Sequence, residues 1–216
     1  MRTRLALATL AALVFCNRAT AADLYVGTGF PRLIVGVAQP LSESVVLRAD
    51  LAGTGKYTDT FTEDGIAYNG KFKHERVGVF ADWFVAGGFR LTAGVTANDT
   101  RLDLNAQGNG GTITIGNTSY VTTPDDRWNV NVKFPKVTPY LGLGYGRHPE
   151  GGAGVGFVAD FGVSYGRAKV SASVSGPTLS GTVTQADIDR ELAELREGVG
   201  HVRVVPQLSV AINFRF

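Results

Sequence analysis

Apolar and polar residues alternate along most of this chain with a period of two residues, which is the period of an extended strand. The final segment shows the alternation most clearly, because one of its faces carries only apolar side chains: Leu208, Val210, Ile212, Phe214 and Phe216. Small or polar residues occupy its other face. Several upstream segments repeat the pattern, and a helical period fits none of them. The pattern therefore predicts a chain built of strands that each have one apolar face.

We predict eight strands, at residues 23–30, 32–39, 43–58, 64–84, 88–106, 127–147, 152–176 and 201–216. Pro31 and Arg32 interrupt the first apolar stretch, and we interpret them as a tight hairpin. Bacterial single-chain outer-membrane barrels have even strand numbers, and this rule favours eight strands over the seven obtained without the hairpin. Residues 112–120 predict a further small hairpin, turning at Gly116-Asn117 above the barrel. If it entered the wall instead, the barrel would have ten strands.

The predicted fold is all-β: a single antiparallel up-and-down transmembrane β-barrel, with lipid on the apolar faces and a polar lumen. Glycine accounts for 28 of the 216 residues. Many of these glycines lie within strands, where a narrow barrel needs small side chains and close packing. No run of 18 apolar residues follows the N-terminal segment, so no transmembrane helix is predicted. An amphipathic edge strand of a soluble sandwich is the alternative explanation of the final segment.

The polar faces of the strands carry charged residues that a narrow lumen would enclose. We predict that they pair with one another as a salt-bridged plug, because isolated charges are costly to bury. A charged pore for small solutes is the alternative. The residues of this lumen polar cluster are Arg48, Asp50, Arg76, Asp82, Arg90 and Asp160.

Aromatic residues concentrate towards the predicted strand ends, as in the interfacial girdles of membrane barrels. An ordinary aromatic core is the alternative. The residues assigned to the girdle are Trp83, Phe84, Phe89, Tyr68, Phe72 and Trp128.

The connections alternate in length. Those at 40–43, 85–88 and 147–151 are short, and those at 58–65, 107–126 and 177–200 are long and polar, which places the long ones outside the cell. The sequence Thr184-Gln185-Ala186-Asp187 predicts a capping box that begins one short helix, ending near Gly198. Three long strands change the phase of their apolar residues, and we predict bulges near His74, Pro135 and Arg167 that exchange the two faces.

The N-terminal segment 1–21 has the features of a secretory signal peptide: a basic start, a short apolar stretch and an Ala19-Thr20-Ala21 cleavage pattern. Cleavage after Ala21 or Ala22 leaves the barrel, residues 22–216, as one domain. Cys16 is the only cysteine and lies within the signal. If the protein were a lipoprotein, Cys16 would be the lipidated residue, but the bulky Phe15 before it disfavours this alternative. Cleavage removes three arginines and no acid, so 21 basic and 19 acidic residues become 18 and 19. This balance argues against nucleic-acid binding.

Catalytic chemistry is scarce in this sequence. His74, His148 and His201 form no metal-ligand pair at helical spacing, no close His-x-Ser arrangement occurs at His201, and no nucleotide-binding motif occurs. Asp125-Asp126, followed by Arg127, is interpreted as the start of a strand rather than as a catalytic dyad. We therefore predict no enzymatic activity, no catalytic residue, no metal and no cofactor.

The mature chain resembles small eight-stranded bacterial outer-membrane barrels, the group of the outer-membrane protein A transmembrane domain and the opacity-like surface proteins. The stretch 138–146, T-P-Y-L-G-L-G-Y-G, is similar to a strand common in that group, and the end of the chain resembles the signal read by the barrel-assembly machinery. In that signal the assembly residues would be Phe216, Phe214, Ile212, Val210 and Leu208.

The resemblance implies localisation in the cell outer membrane, as a monomer in contact with outer-membrane lipid. It also implies a structural or surface role, with exposed loops available to an extracellular ligand or surface partner. A narrow channel for small or hydrophobic solutes is the first alternative function. A soluble periplasmic β-barrel that carries lipid or another ligand is the second.

Overall fold

The protein is described here by a computed structural model that covers residues 22–63, 66–146, 153–198 and 203–215. The predicted signal peptide and Phe216 lie outside these residues, as do His148 and His201. The strands are β1 Asp23–Phe30, β2 Leu33–Pro40, β3 Val45–Glu63, β4 Ile66–Ala86, β5 Phe89–Gln107, β6 Thr112–Ile115, β7 Thr118–Val121, β8 Arg127–Lys133, β9 Val137–Tyr145, β10 Gly154–Tyr165, β11 Lys169–Ser175 and β12 Val204–Arg215. The helices are α1 Leu179–Thr182 and α2 Gln185–Gly198.

Eight of these strands form a closed antiparallel ring. Its order is β1-β2-β3-β4-β5-β9-β10-β12, and the pairing of β12 with β1 closes it. Closure satisfies the backbone of every wall strand, because no sheet edge is left open. The eight-stranded barrel predicted from the sequence is confirmed, including the tight β1–β2 hairpin around Pro31, where Thr28 pairs with Leu33.

The hairpin β6–β7 does not enter the wall. It forms a separate two-stranded sheet, and it turns at Gly116 and Asn117 as predicted. Both turn residues have positive φ, 56° for Gly116 and 74° for Asn117, as a two-residue hairpin turn requires. The ten-stranded alternative is therefore excluded for the described residues.

The two ends of the barrel differ in height. At one end, which we call the turn end, short connections such as 41–44 and 87–88 join the strands. At the other, the loop end, β3, β4 and β5 reach lengths of 19, 21 and 19 residues. Their upper parts continue into a sheet with β8 and β11, which we call the upper sheet. The predicted long loop at 58–65 is wrong, because β3 and β4 remain paired as far as Glu63 and Ile66.

The change in apolar phase along the long strands does not come from bulges that exchange faces. Along β4 the even-numbered residues face inwards both below and above His74, and the register between β4 and β5 is unbroken there. The register of β5 with β8 and β9 is also continuous across Pro135, since Arg101 pairs with Lys133 and Ala97 with Val137. The face-exchanging bulges predicted at His74 and Pro135 are therefore wrong.

At Arg167 the pairing is interrupted between β10 and β11, yet Ser164 and Val170 both remain buried on the inward side. No exchange of faces occurs there either. The chemistry of the inward face itself changes instead, from polar within the ring to apolar within the upper sheet. A register shift on β3 between Gly53 and Gly55 lies opposite His74 and Glu75, on the partner strand rather than on β4.

The apolar inward face of the upper sheet is covered by α1, α2 and the β6–β7 hairpin. We call these covering elements the cap. Their shared core consists of Ala106, Ile113, Ile115, Trp128, Val130, Val170, Leu179, Ile188 and Leu192. The molecule therefore has a barrel with a polar interior and an apolar exterior, and above it an apolar core of the kind found in soluble domains.

The helix predicted from its capping box is confirmed as α2. The Asp187 backbone N–H donates to the Thr184 hydroxyl over 3.2 Å, and that hydroxyl donates to the Asp187 carboxylate over 2.6 Å. Ile188 and Leu192 are buried on one face of the helix, as the spacing predicts. The single turn α1 is additional to the prediction. Among the described residues, no helix is long and apolar enough to cross a membrane.

Candidate functional site: the lumen, the apolar belt and the cap

The structure brings all six residues of the lumen polar cluster together. They come from β3, β4, β5 and β10, and each occupies an inward position of its strand. Arg90 and Asp82 are fully buried, and the others are nearly so. Three arginines face three aspartates, so the cluster is electrically neutral.

Asp82 and Asp160 are each held by two arginines. Arg48 contacts Asp82 over 2.5 Å and Asp160 over 3.4 Å. Arg90 contacts the same two carboxylates over 3.5 Å and 2.7 Å. The Thr92 hydroxyl donates a further hydrogen bond of 2.7 Å to Asp82. These contacts connect strands from opposite sides of the ring and fill the space between them.

The third pair lies closer to the loop end. Arg76 donates to Asp50 over 3.1 Å, and the Tyr25 hydroxyl donates to the same carboxylate oxygen over 3.1 Å. The Arg76 guanidinium lies 5.0 Å from the ring centre of Phe80 and 5.9 Å from that of Tyr140. Such cation–π contacts stabilise a guanidinium that has left water.

Glycines make room for these rings. A side chain at Gly36 would approach Tyr25 to 2.4 Å, one at Gly162 would approach Tyr140 to 2.2 Å, and one at Gly78 would approach Phe80 to 2.2 Å. The sequence indicated close packing at strand glycines, but it did not indicate that aromatic rings inside the lumen are what they accommodate. Tyr25, Phe80 and Tyr140 were missed because their ring positions depend on the register of neighbouring strands.

Two further polar groups lie in the lumen outside the predicted cluster. Asp23 and Arg215 are register partners on the first and last wall strands, and they form a two-point ion pair of 2.7 Å and 3.2 Å. Above the charged cluster, the Asn98 side chain donates to the Thr138 hydroxyl over 2.7 Å, and that hydroxyl lies 2.8 Å from the hydroxyl of Thr96. Their inward strand phase was the available signal.

Aromatic rings cover the lumen at the loop end. The ring of Phe30 stacks on His74 with a centroid distance of 5.6 Å and on Phe72 with one of 6.2 Å. Pro31 beside it is fully buried. The cavity between these residues and the charged cluster has a volume of about 10 Å³, which holds about one water molecule. The barrel is therefore filled by its own side chains.

The described residues contain no group of three or more metal-ligating side chains. His74 lies buried between Phe30 and the Thr100 hydroxyl, which is 2.7 Å from its Nδ1 atom. The structure thus places this histidine in the packing at the mouth of the barrel.

The outer face of the ring carries a continuous apolar surface, which we call the belt. Its large side chains are between 37% and 70% exposed. They are Val26, Leu33, Val35, Leu51, Trp83, Val85, Phe89, Leu91, Val95, Val137, Leu141, Leu143, Tyr145, Val155, Phe157, Phe161, Tyr165, Val204, Leu208, Val210, Ile212 and Phe214. Every wall strand contributes to the belt. Soluble monomers seldom expose an apolar surface of this extent.

The height of the belt matches a lipid bilayer. The apolar outward face of β9 occupies the 9 residues of that strand, and on β5 it runs from Phe89 to Ala97 before Asp99 and Arg101 follow. A tilted transmembrane strand needs about 9–11 residues to cross the hydrocarbon layer.

The predicted girdle is only partly on the outside of the barrel. Trp83 and Phe89 are exposed on the belt near the turn end, 55% and 44% respectively. Trp128 lies in the core of the cap and Tyr68 packs against it. Phe72 is stacked under Phe30, and Phe84 lies inside the barrel beneath Arg90. The assignment of these last four residues to the girdle is wrong, because each occupies an inward position of its strand.

The turn end has other exposed aromatic residues that were not assigned to the girdle, namely Tyr145 and Phe157. The described members of the predicted assembly signal, Leu208, Val210, Ile212 and Phe214, all face outwards on β12. Phe216 lies outside the described residues.

Two buried carboxylates anchor the elements of the cap. Asp126 accepts hydrogen bonds from the backbone N–H groups of Leu179, Thr123 and Thr178, over 3.0, 2.7 and 3.0 Å, and one from the Thr123 hydroxyl. Burial raises the pKa of this carboxyl, but the hydrogen bonds outweigh burial and hold the pKa well below its ordinary value.

Asp187 joins α2 to the β6–β7 hairpin. It accepts hydrogen bonds from the hydroxyls of Thr184 and Tyr120, both over 2.6 Å, and from Thr118 over 3.1 Å. Arg190 contacts it over 2.9 Å. The hydrogen bond from Thr184, followed by that from Tyr120, lowers the pKa of Asp187. The helix start and the hairpin therefore share one polar anchor.

A closed ring of eight antiparallel strands, apolar outside and polar inside, defines the protein as an eight-stranded β-barrel. No family model matches the sequence, and neither does any curated protein. The crystal structure of CarO2 from Acinetobacter baumannii is similar, with a TM-score of 0.62 and 17% identity over 93% of this chain and 100% of that chain. The crystal structure of Acinetobacter baumannii CarO gives 0.55 and 18%, over 91% and 97%. These similarities show the fold.

Proposed function

We propose that the protein is a non-enzymatic integral outer-membrane barrel with a structural and surface role, whose cap is exposed outside the cell. The belt is the observation that carries this proposal. A polar interior with an apolar exterior is the arrangement suited to lipid, and it is unsuited to a soluble carrier of lipid, which would bind its ligand inside an apolar lumen. CarO is itself an outer-membrane barrel protein, which supports the same location.

The orientation proposed for the barrel puts the turn end in the periplasm and the cap outside. Short periplasmic turns and long external loops are the usual asymmetry of such barrels. The assembly partner is then the barrel-assembly machinery, which would read the outward face of β12 and Phe216.

The lumen is proposed to be a closed plug and not a channel. The interlocked arginines and aspartates, together with Phe30 and Pro31 at the mouth, support this proposal because they leave a cavity of only about 10 Å³. In planar bilayers the purified protein is expected to give no conductance steps. Regular single-channel steps would favour the narrow-channel alternative instead.

Membrane sidedness tests the location directly. The chain without its signal has no cysteine, so a single cysteine can be introduced at exposed Glu194 on α2 or at exposed Glu43 at the turn end. In intact cells, a membrane-impermeant maleimide is expected to label Glu194→Cys and to spare Glu43→Cys. Both variants should react after lysis. Labelling of Glu43→Cys alone in intact cells would contradict the proposed orientation.

A further inference from the structure

A row of basic residues crosses the outer face of the upper sheet. Strand pairing places Lys169 beside Lys133, Lys133 beside Arg101, Arg101 beside Lys73, and Lys73 beside Lys56. We call these five residues the basic row. They lie on five neighbouring strands, so the row extends for roughly 20 Å across the sheet.

Like charges that face each other on neighbouring strands repel, so a sheet seldom aligns them without compensation. Here the compensation is incomplete. Lys73 contacts Asp99 over 2.7 Å and Glu75 over 2.8 Å, and Arg101 contacts Asp103 over 3.8 Å.

The remaining members of the row, Lys56, Lys133 and Lys169, are exposed. No ion pair to any of them occurs within the described parts of the chain. Five positive charges therefore meet three carboxylates in these contacts, which leaves the row with an excess of positive charge.

The basic row follows the upper edge of the belt. Lys73 and Arg101 each lie four residues along their strand from an outward apolar residue of the ring, Val77 and Ala97. Lys133 and Lys169 lie four residues along the chain from Val137 at the start of β9 and Tyr165 at the end of β10. With the usual strand rise and tilt, this separation is roughly 10 Å in height. Lysine and arginine side chains can bend towards a membrane surface while their stems remain against apolar groups. Their charged ends can therefore reach the lipid headgroups.

We propose that the basic row binds the phosphate groups of the outer-leaflet lipid, a phosphorylated glycolipid of the lipid A class. The inference rests on the proposed outer-membrane location with the cap outside. Charge complementarity supplies the recognition, and continuity with the belt supplies the position, because a lipid whose acyl chains lie along Val137 and Tyr165 has its headgroup at the height of Lys133 and Lys169. The barrel would thus carry a lipid site on the side where the upper sheet stands.

The test measures binding of dansyl-labelled diphosphoryl lipid A to the folded mature protein in neutral-detergent micelles, by energy transfer from its tryptophans. The triple variant Lys56→Gln, Lys133→Gln, Lys169→Gln is expected to bind roughly a hundredfold more weakly, about fivefold for each lysine near an anionic headgroup. Lys133→Gln alone is expected to lose about fivefold.

The triple Lys→Arg variant at the same positions is the matched control and should retain wild-type binding, since it keeps the charges. Arg196→Gln, which removes a positive charge from α2 away from the row, should also leave binding unchanged. Dephosphorylated lipid A should bind all variants equally weakly. Inorganic phosphate at millimolar concentration should not displace the lipid.

Unchanged binding by the triple Lys→Gln variant would overturn the inference, and full displacement by inorganic phosphate would assign the row to a free anion. A heat-dependent shift in gel mobility reports the folded barrel in every variant. If the wild-type protein lacks this shift and does not insert into vesicles, the proposed function itself fails, and the lipid site with it. If it inserts normally and the row makes no difference, only the lipid site fails.

Discussion

Individual charged residues inside the barrel depend on one another for their stability. Asp50 is buried, and Arg76 is its cationic partner at 3.1 Å. Removal of one partner leaves the other charge buried without compensation, which commonly costs 3–5 kcal/mol, whereas removal of both costs much less. The lumen should therefore tolerate loss of a pair better than loss of either member.

We expect Arg76→Met to lower the free energy of unfolding of the barrel by about 3–5 kcal/mol. The measurement is equilibrium unfolding in urea in detergent micelles. Arg76→Met combined with Asp50→Leu should recover most of the loss. Wild-type stability of Arg76→Met would show that the pair does not hold the lumen together. A double variant whose loss of unfolding free energy equals the sum of the losses of Arg76→Met and Asp50→Leu would show the same.

Gly94 faces the lumen, and close packing there requires a residue without a side chain. A methyl group there would lie 2.4 Å from the backbone oxygen of Val79 and 2.5 Å from the ring of Phe80. Gly94→Ala should therefore lower the free energy of unfolding by about 1–3 kcal/mol, as overpacking does. Gly53→Ala is the control, since the nearest atom to a methyl group there is 3.5 Å away. Equal stability of the two variants would contradict this account of the lumen.

At the scale of the element, the strands could be predicted from the sequence, but the direction in which each apolar face points could not. The alternation in β9 and β12 fixes one apolar face, and turn residues fix most of the boundaries. The sequence pattern alone does not reveal whether an apolar face points outwards, as in β9, or inwards, as in β8. A bulge that exchanges faces and a strand that passes from lipid into a covered core produce the same apolar phase change. Strand partners decide between them, and partners are a property of the whole sheet.

The same ambiguity explains the girdle residues that proved to be inward. Trp128 and Tyr68 lie towards the ends of predicted strands, where interfacial aromatics are expected. The cap covers these strand ends, however, and turns their aromatic residues into core. The capping box of α2 could be predicted, because the Thr184–Asp187 contact is local in sequence. The contact of Asp126 with Leu179 could not, because it joins segments that are distant along the chain.

The cap should lose stability in acid before the barrel does. Asp126 and Asp187 have pKa values below that of an unfolded aspartate, which is about 3.9. A carboxyl with a lowered pKa stabilises the folded state fully above the unfolded pKa, and this contribution is lost as the pH falls through the folded pKa. The cap is therefore expected to be equally stable between pH 5 and 8 and to weaken below about pH 4.

Trp128 reports on the cap, since it is buried in the cap core. In a Trp83→Phe background, its fluorescence should shift to longer wavelength as the pH falls below about 4, while the circular dichroism of the strands persists. Asp126→Asn should show the shifted emission already at neutral pH. A cap that is unaffected at pH 2, or one that loses stability as the pH rises from 5 to 8, would contradict the role of these carboxylates.

At the scale of the whole molecule, closure of the ring joins the two ends of the described chain. Asp23 and Arg215 form an ion pair between β1 and β12, so the barrel is complete only when the last strand is in place. The outward residues of β12 belong to the belt as well as to the predicted assembly signal. In the proposed function, assembly and membrane anchoring would therefore involve the same segment.

We expect Phe214→Ala combined with Phe216→Ala to reduce the amount of folded protein in the outer membrane and to leave export unchanged. The amounts are measured by fractionation and by heat-dependent gel mobility. Leu91→Ala, which removes a similar outward apolar side chain from β5, is the control and should assemble normally. Normal outer-membrane levels of the double variant would remove the support for an assembly signal at this end of the chain.

The central claim is that the outer face of the ring lies in lipid while the upper sheet and the cap do not. The two tryptophans separate these regions, because Trp83 is 55% exposed on the belt and Trp128 is buried in the cap. The most direct measurement is fluorescence quenching by brominated lipids in vesicles, with Trp128→Phe reporting on Trp83 and Trp83→Phe reporting on Trp128. Strong quenching of Trp83 and little quenching of Trp128 is the expected result. Equal quenching of the two, or none at Trp83, would contradict the claim.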